Sequence, residues 1–190
     1  MLNRVISLEK ARIINIFGSS GSGSTTLAKA IAKKYGYHFI DTDDAIWEKT
    51  DPPFSVRKSD DSAREFLAEE MEKDEYSVIS GAFVGWADDL KDKVSLFVYL
   101  NLPLSIRRER IRKREQSRFA GRVQPGGDLY QRHLDFLDWI SQYDDAPADV
   151  RGRKQHIEWL SDVRVPVISI TEPLSIGTLV DMVGKSIYKE

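Results

Sequence analysis

The chain of 190 residues contains no cysteine and only three histidines. Without cysteine it can form neither a disulfide framework nor a thiolate metal site, and a reducing compartment is compatible with this composition. His38, His133 and His156 are scattered along the chain without the spacing of a zinc site. We therefore expect these histidines to be ordinary surface or core residues.

The sequence also lacks a long hydrophobic run. No apolar stretch is long enough to span a bilayer, and the N-terminus lacks the apolar core of a signal peptide. The formal net charge is only -2, which gives no reason to expect a general polyanion binder. We expect a cytoplasmic protein that binds neither membrane nor nucleic acid, and the sequence leaves its oligomeric state open.

A glycine-rich stretch runs from Gly18 to Thr26 and reads GSSGSGSTT. It matches the phosphate-binding P-loop pattern G-x-x-x-x-G-K-[S/T] at Gly18, Gly23 and Thr25. Ser24 stands where the pattern has lysine. The residues predicted to bind a nucleotide here are Gly18, Ser19, Ser20, Gly21, Ser22, Gly23, Ser24, Thr25 and Thr26.

A flexible glycine and serine linker would have a similar composition, but the flanking segments favour a P-loop. Arg12–Phe17 is a β-branched apolar run that is typical of a buried parallel strand. Leu27–Tyr35 has helical spacing, and Gly36 is placed to end that helix. A strand, a glycine loop and a helix N-terminus make an anion site, because converging N–H groups and the helix dipole favour phosphate.

Strand and helix patterns alternate along the rest of the chain, which predicts a parallel sheet. The predicted strands are Arg12–Phe17, Tyr37–Ile40, Tyr76–Ser80, Ser95–Leu100 and Val165–Ile170. Helices are predicted after the P-loop and over 61–73, 104–118, 129–142, 150–160 and 175–188. The fold class is thus α/β, a single P-loop NTPase domain over residues 1–190 with a five-stranded parallel sheet flanked by helices. Trp47–Asp60 and Phe119–Asp128 are predicted to be loops.

Three carboxylates follow the second predicted strand, in the segment FIDTDDAI. Strand alternation lets Asp41 and Asp43 point the same way, toward the carboxyl end of the strand and the P-loop. One carboxylate can hold Mg²⁺ through water, and the other can orient or deprotonate an attacking hydroxyl. The alternative role is a helix N-cap, which we favour for Asp44 but not for Asp41 or Asp43.

With these residues the chain resembles the shikimate kinase branch of small P-loop kinases. Over most of its length it is similar to nucleoside monophosphate kinases, and more narrowly to bacterial adenylate kinase-like or AAA-family proteins that have a small hydroxyl residue in place of the P-loop lysine. The resemblance implies the cofactors ATP and Mg²⁺ and a small-molecule acceptor such as a nucleoside, a nucleotide or a hydroxylated metabolite. It assigns Thr25 and Asp41 to the metal and Asp43 to the acceptor and to catalysis.

The same resemblance implies an acceptor-binding insertion at about 44–73 and a LID at about 115–150. Ser80-Gly81-Ala82 falls at the glycine-rich acceptor loop of shikimate kinases but continues into Phe83-Val-Gly-Trp86, which departs from their glycine run. Gly81, Trp86 and Arg57 are accordingly predicted to bind the acceptor. Four aromatic residues are candidates for a pocket for a flat acceptor, although for any one of them a place in the core is the favoured interpretation: Trp47, Phe54, Phe83 and Trp86.

The segment Ile106–Arg118 is densely basic. Nucleic-acid binding would call for interleaved aromatic residues or a basic domain, so a LID helix ranks first and a solvated helix with Arg–Glu pairs second. In a LID, three arginines would act on the phosphates as catalytic residues, and the first would also bind the nucleotide: Arg114, Arg118 and Arg122. Arg151 and Arg153 fall where related kinases have further phosphate-binding arginines.

Ser24 separates two hypotheses about function. A P-loop lysine stabilises the β- and γ-phosphates as charge shifts during transfer, and losing such a group typically costs several kcal/mol of transition-state stabilisation. In the first hypothesis the protein is an ATP- and Mg²⁺-dependent small-molecule kinase in which an arginine replaces the lysine. In the second it is a nucleotide-binding sensor or degenerate kinase without efficient transfer.

Overall fold

The computed structural model describes residues 9–189 and contains a five-stranded parallel sheet with strand order β3-β4-β2-β5-β6. The strands are β1 (Glu9–Lys10), β2 (Ile13–Gly18), β3 (His38–Asp41), β4 (Ser77–Ser80), β5 (Leu96–Leu100), β6 (Val167–Ile170) and β7 (Tyr188–Lys189). Each predicted strand is confirmed to within two residues. The P-loop follows β2, the central strand, so both of its neighbours in the sheet end beside it.

The helices flank this sheet. They are α1 (Ser24–Tyr35), α2 (Thr42–Ile46), α3 (Asp60–Glu72), α4 (Leu104–Phe119), α5 (Tyr130–Ser141), α6 (Arg153–Leu160) and α7 (Ile176–Ile187). Short 3-10 turns cover Asp88–Lys93, Ala120–Val123 and Gln142–Asp144. The predicted α/β class and its single domain are therefore confirmed.

Two apolar clusters cover the two faces of the sheet. On one face Leu27 of α1 and Val183 of α7 pack with Ile14 and Ile16 of β2. On the other face Leu67 of α3 and Trp159 of α6 pack with Phe17. Because both faces are covered, every residue of β2 is buried, which explains why its sequence is apolar at every position except Asn15 rather than alternating.

The sequence patterns missed the second sheet, in which β1 and β7 pair antiparallel. Strands of two residues carry too few positions to show an alternation. The expectation that the N-terminus lacks a signal peptide concerns a segment that includes residues 1–8. These residues lie outside the described part of the chain. Within residues 9–189, no helix combines the length and the apolar character that a membrane crossing requires.

The P-loop and the edge of the sheet form the candidate active site

The loop between β2 and α1 has the backbone conformation of an anion-binding turn. Gly21 and Gly23 have positive φ angles of 82° and 100°, a region that residues with a Cβ rarely adopt. Gly23 is the N-cap of α1, which begins at Ser24. The first N–H groups of the helix have no partner within the helix, so they are free to bind an anion at its positive end.

Loop hydroxyl groups add further donors. Ser19 and Ser22 are 3% and 2% exposed, and the Oγ of each is buried without a hydrogen-bond partner among the described residues. Ser20, Ser24 and Thr25 are half-buried. Buried hydroxyls are normally hydrogen-bonded, so unpaired ones beside free N–H groups suit a loop that closes around a bound anion.

Three oxygen-bearing side chains line up across the carboxyl edge of the sheet. Asp41, the last residue of β3, pairs in register with Ser80, the last residue of β4. The Ser80 and Thr25 hydroxyls are hydrogen-bonded at 2.9 Å. The described residues contain no cluster of three or more His, Cys, Asp or Glu side chains that could hold a metal. One carboxylate and two hydroxyls nevertheless fit Mg²⁺, because this ion retains several waters and takes few protein ligands.

Asp41 also begins the short helix α2. Its carboxylate accepts a hydrogen bond from Asp43 N at 3.2 Å, which makes Asp41 the N-cap of α2. The preference for Asp44 as the cap is therefore wrong. An N-cap bonds the N–H two or three residues later, so the helix that starts at Thr42 takes its cap from the end of the strand.

The pKa of Asp41 is raised to about 6. Burial is the largest cause, and the negative charge of Asp43 adds to it, while the hydrogen bond from Asp43 N acts in the opposite direction. At a pH of about 6, an ordinary aspartate on the surface would be almost fully ionised. Asp41 is thus poised to exchange its proton for a cation near neutral pH.

Asp43 lies among three arginines. Desolvation raises its pKa, and the positive charges of Arg151, Arg114 and Arg118 lower it in part. Desolvation also lowers the pKa of Arg114 and of Arg151, and Asp43 opposes both changes. These side chains are accessible to water, yet protein surrounds them closely enough to weaken their hydration, as in an open cleft. The charges of Arg114, Arg118 and Arg151 thus act on Asp43 in the structure. The roles of these residues in binding and catalysis remain predictions.

The other predicted arginines lie on carboxylates of the protein. Arg122 forms ion pairs with Asp128 and Asp51 at 2.8 and 3.2 Å. Arg153 pairs with Asp144 at 2.7 Å, and the Arg57 guanidinium donates to Asp60 at 2.6 Å. Their predicted contacts with phosphate or acceptor remain predictions.

Gly81 and Trp86 follow β4 on the acceptor side. Gly81 has φ 102°, and a Cβ there would lie only 1.9 Å from the Thr42 hydroxyl, so the chain needs glycine for the close approach of α2. Its carbonyl accepts a hydrogen bond from Asn15 Nδ2 at 2.9 Å. Trp86 is half-buried and packs edge-on against Phe83, a core residue. Trp86 therefore has one part in the core and one part accessible to a ligand.

Sequence reasoning missed the contact between the two insertions. Arg132 of α5 donates to Pro53 O, Phe54 O and Ser55 Oγ at 2.6, 2.8 and 2.9 Å. Arg118 lies 5.9 Å from the Phe54 ring, and Arg122 reaches Asp51. We call this set of contacts the clasp, formed by residues 51–55 with Arg118, Arg122 and Arg132. It joins α5 to residues 51–55, and no local sequence pattern reports a contact across 77 to 79 residues.

The glycine loop at the end of a central parallel strand, followed by a helix N-terminus, defines a P-loop domain. Residues 14–122 match the family described as AAA domain. A protein of Bacillus subtilis (strain 168), "Uncharacterized protein YqaC", is 36% identical over 170 residues, which are 90% of this chain and 94% of that one. The chain therefore belongs to the AAA domain family.

Two solved structures show how the fold is used elsewhere. The shikimate kinase from Acinetobacter baumannii, in complex with shikimate, has a TM-score of 0.56 at 16% identity over 93% of both chains. A gluconokinase from Sinorhizobium meliloti 1021 has a TM-score of 0.52 at 21% identity, over 95% of this chain and 93% of that one. At this identity the likeness shows the fold, so the chain has the fold of small-molecule P-loop kinases, as its motifs predict.

Proposed function

We propose that the protein transfers the γ-phosphoryl group of ATP to a hydroxyl of a small acceptor. The observation that carries this proposal is the position of Asp43. Asp43 lies in the first turn of α2, directly after β3, where the charges of three arginines act on its carboxylate. A sensor that only bound nucleotide would have no use for a carboxylate of raised pKa at the place where an acceptor hydroxyl would enter.

Each group has a role in the proposed reaction. The loop N–H groups and the hydroxyls of Ser19 and Ser22 would bind the phosphates. Mg²⁺, when bound, would be held by Thr25 and, through water, by Asp41, and would neutralise phosphate charge. Asp43 would orient the acceptor hydroxyl and accept its proton. The arginines Arg114, Arg118 and Arg151 would stabilise the charge that spreads over the transferring group.

The proposed transfer is an in-line displacement at the γ-phosphorus of ATP. The acceptor oxygen forms a bond to the γ-phosphorus, and the bond from that phosphorus to the bridging oxygen breaks. ADP leaves with the electron pair of the broken bond, and the hydroxyl proton passes to Asp43. The acceptors proposed for this site are small hydroxylated compounds: nucleosides, nucleotides or hydroxylated metabolites.

The test is acceptor-dependent ADP release with Mg-ATP, measured over nucleosides, nucleotides and small hydroxy acids. For an acceptor that is turned over, Asp43→Asn should lower the rate by about 100-fold or more, because a positioned base contributes roughly 10²–10⁴-fold. Asp44→Asn is the matched control and should leave the rate nearly unchanged. ATP affinity should survive in Asp43→Asn, because this change removes a negative charge from a phosphate-binding cleft.

The second candidate, a nucleotide-binding sensor without transfer, is favoured by the absence of a P-loop lysine at Ser24. It predicts saturable ATP binding and ADP release at the acceptor-free background with every acceptor. It also predicts that Asp43→Asn alters no measurable property other than nucleotide affinity. A rate that depends both on acceptor and on Asp43 would exclude this candidate.

A further inference from the structure

Helix α4 lies directly against the P-loop. A Cβ on Gly21 would come within 2.6 Å of Arg107 O and 3.0 Å of Ile111 Cδ1. On the same side, Arg110 Nη1 donates to Ser22 O at 2.9 Å and lies 3.5 Å from the place of a Cβ on Gly23. A guanidinium therefore stands at the rim of the loop, beside the glycine that precedes Ser24.

Arg110 has donors left for a ligand. A guanidinium carries five N–H groups in a fixed plane, and the described contacts of Arg110 use one nitrogen, Nη1. The side chain is exposed to solvent, so the remaining groups are open to an anion. Among the described side chains of other elements, Arg110 is the one that forms a hydrogen bond with the loop backbone.

The other cations near the loop are committed elsewhere. Arg107 is fully buried and holds Asp144 at 2.7 Å. Lys29 of α1 lies 5.2 Å from the Phe39 ring. Arg114 acts on Asp43 at the acceptor side of the cleft. Among the described residues, Arg110 is the cation that donates a hydrogen bond to the P-loop backbone.

Resting on the nucleotide site proposed above, we propose that Arg110 supplies the positive charge that the P-loop lysine would otherwise bring. It acts in two ways. Its hydrogen bond to Ser22 O polarises the peptide between Ser22 and Gly23, which makes the Gly23 N–H a stronger donor to phosphate. Its free N–H groups add charge-assisted hydrogen bonds to the bound phosphates. The sequence hypothesis of a LID arginine thus gains a specific candidate one turn before Arg114.

The experiment is calorimetric titration of the full chain with ATP, with and without Mg²⁺, for the wild type, Arg110→Gln and Arg112→Gln. Arg112 is the matched control, an exposed arginine two residues away that borders the outer groove between α4 and α5. Arg110→Gln should weaken ATP binding roughly 10- to 100-fold, the range for losing a hydrogen bond to a charged group. Arg112→Gln should change it by less than about threefold, as expected for screened surface charge.

The decisive comparison measures the effect of Ser24→Lys on ATP affinity in the wild type and in the Arg110→Gln variant. If Arg110 compensates for the missing lysine, Ser24→Lys should restore much of the affinity lost in Arg110→Gln and add far less to the wild type. This non-additivity is what a double-mutant cycle measures. Arg110→Gln should also reduce the dependence of affinity on salt concentration, and Arg110→Lys should retain part of the affinity. A merely structural role would produce neither effect.

The proposal is overturned if Arg110→Gln binds ATP like the wild type, or if Ser24→Lys changes affinity by the same factor in both backgrounds. Unchanged thermal unfolding of Arg110→Gln would show that any weakening is not a folding defect; a large fall in its Tm would overturn the assignment in favour of a packing role. The readout is binding, so absence of phosphoryl transfer would contradict the proposed reaction and leave this result standing. Absence of ATP binding by the wild type would contradict both.

Discussion

Asp41 and Asp43 are two residues apart in sequence and have different chemical environments. Asp41 lies at the strand edge beside the Ser80 and Thr25 hydroxyls, with a pKa of about 6. Asp43 lies among arginines, where their positive charges oppose the rise in its pKa. Two carboxylates with different surroundings can serve different roles, as the proposed metal role of Asp41 and acceptor role of Asp43 require.

The pKa of Asp41 predicts how Mg²⁺ affinity depends on pH. Below about pH 6 a proton occupies the carboxylate and competes with the cation, so the affinity for Mg-ATP should rise as pH increases through 6 and level off above it. Calorimetry between about pH 5 and pH 8 measures this, and metal-free ATP is the control. Asp41→Asn should remove the dependence near pH 6. A wild-type profile without this change would contradict the assignment of Asp41.

The same shift predicts an effect on stability. The pKa of Asp41 is higher in the folded chain than in the unfolded one, so its contribution to folding is present at low pH and is lost as pH rises through about 6. Asp41→Asn should therefore stabilise the metal-free protein at pH 7.5, by at most about 3 kcal/mol for a shift of two units. Thermal unfolding with EDTA measures it, with Asp44→Asn as the control. If Asp41→Asn lowered the stability instead, the hydrogen bond from Asp43 N to the Asp41 carboxylate would contribute more free energy than burial of the ionised carboxylate costs.

At the scale of elements, the clasp joins two segments that are far apart in the sequence, residues 51–55 and α5. Arg132 makes three hydrogen bonds to one short stretch, and Phe54 in that stretch has a positive φ of 62°, rare for a residue with a bulky side chain. Such a conformation persists when its surroundings hold it. We therefore expect the clasp to oppose separation of residues 51–55 from α5.

Arg132→Gln should open the clasp. Hydrogen exchange should become faster in residues 51–55 and in 119–132, because three contacts to a guanidinium, at roughly 1.5–3 kcal/mol for each hydrogen bond to a charged group, no longer oppose local opening. Hydrogen exchange in the five-stranded sheet should remain as slow as in the wild type. Arg112→Gln, which removes an arginine outside the clasp, is the control. Equal exchange rates in the wild type and in Arg132→Gln would show that the clasp contributes no free energy against local opening.

At the scale of the whole molecule, the sheet could be predicted because buried parallel strands are continuous apolar runs, as in β2 and β5. The Gly-rich loop and the strand-end aspartates were also visible as local patterns. The partners of the arginines were not. Arg107 lies within a basic run yet is fully buried against Leu102 O, Ile140 O and Asp144. Such a partner 37 residues away follows from tertiary packing and leaves no local signal.

The nucleotide site is tested most directly by calorimetric titration of the wild-type chain with ATP in the presence of Mg²⁺. We expect saturable binding of one nucleotide per chain, weakened by Thr25→Ala when Mg²⁺ is present and by Arg110→Gln with or without the metal. We also expect that affinity rises with pH through about 6. Absence of saturable binding at about 1 mM ATP, equivalent to a binding free energy weaker than about -4 kcal/mol, would contradict the central claim that this lysine-free P-loop is a nucleotide site.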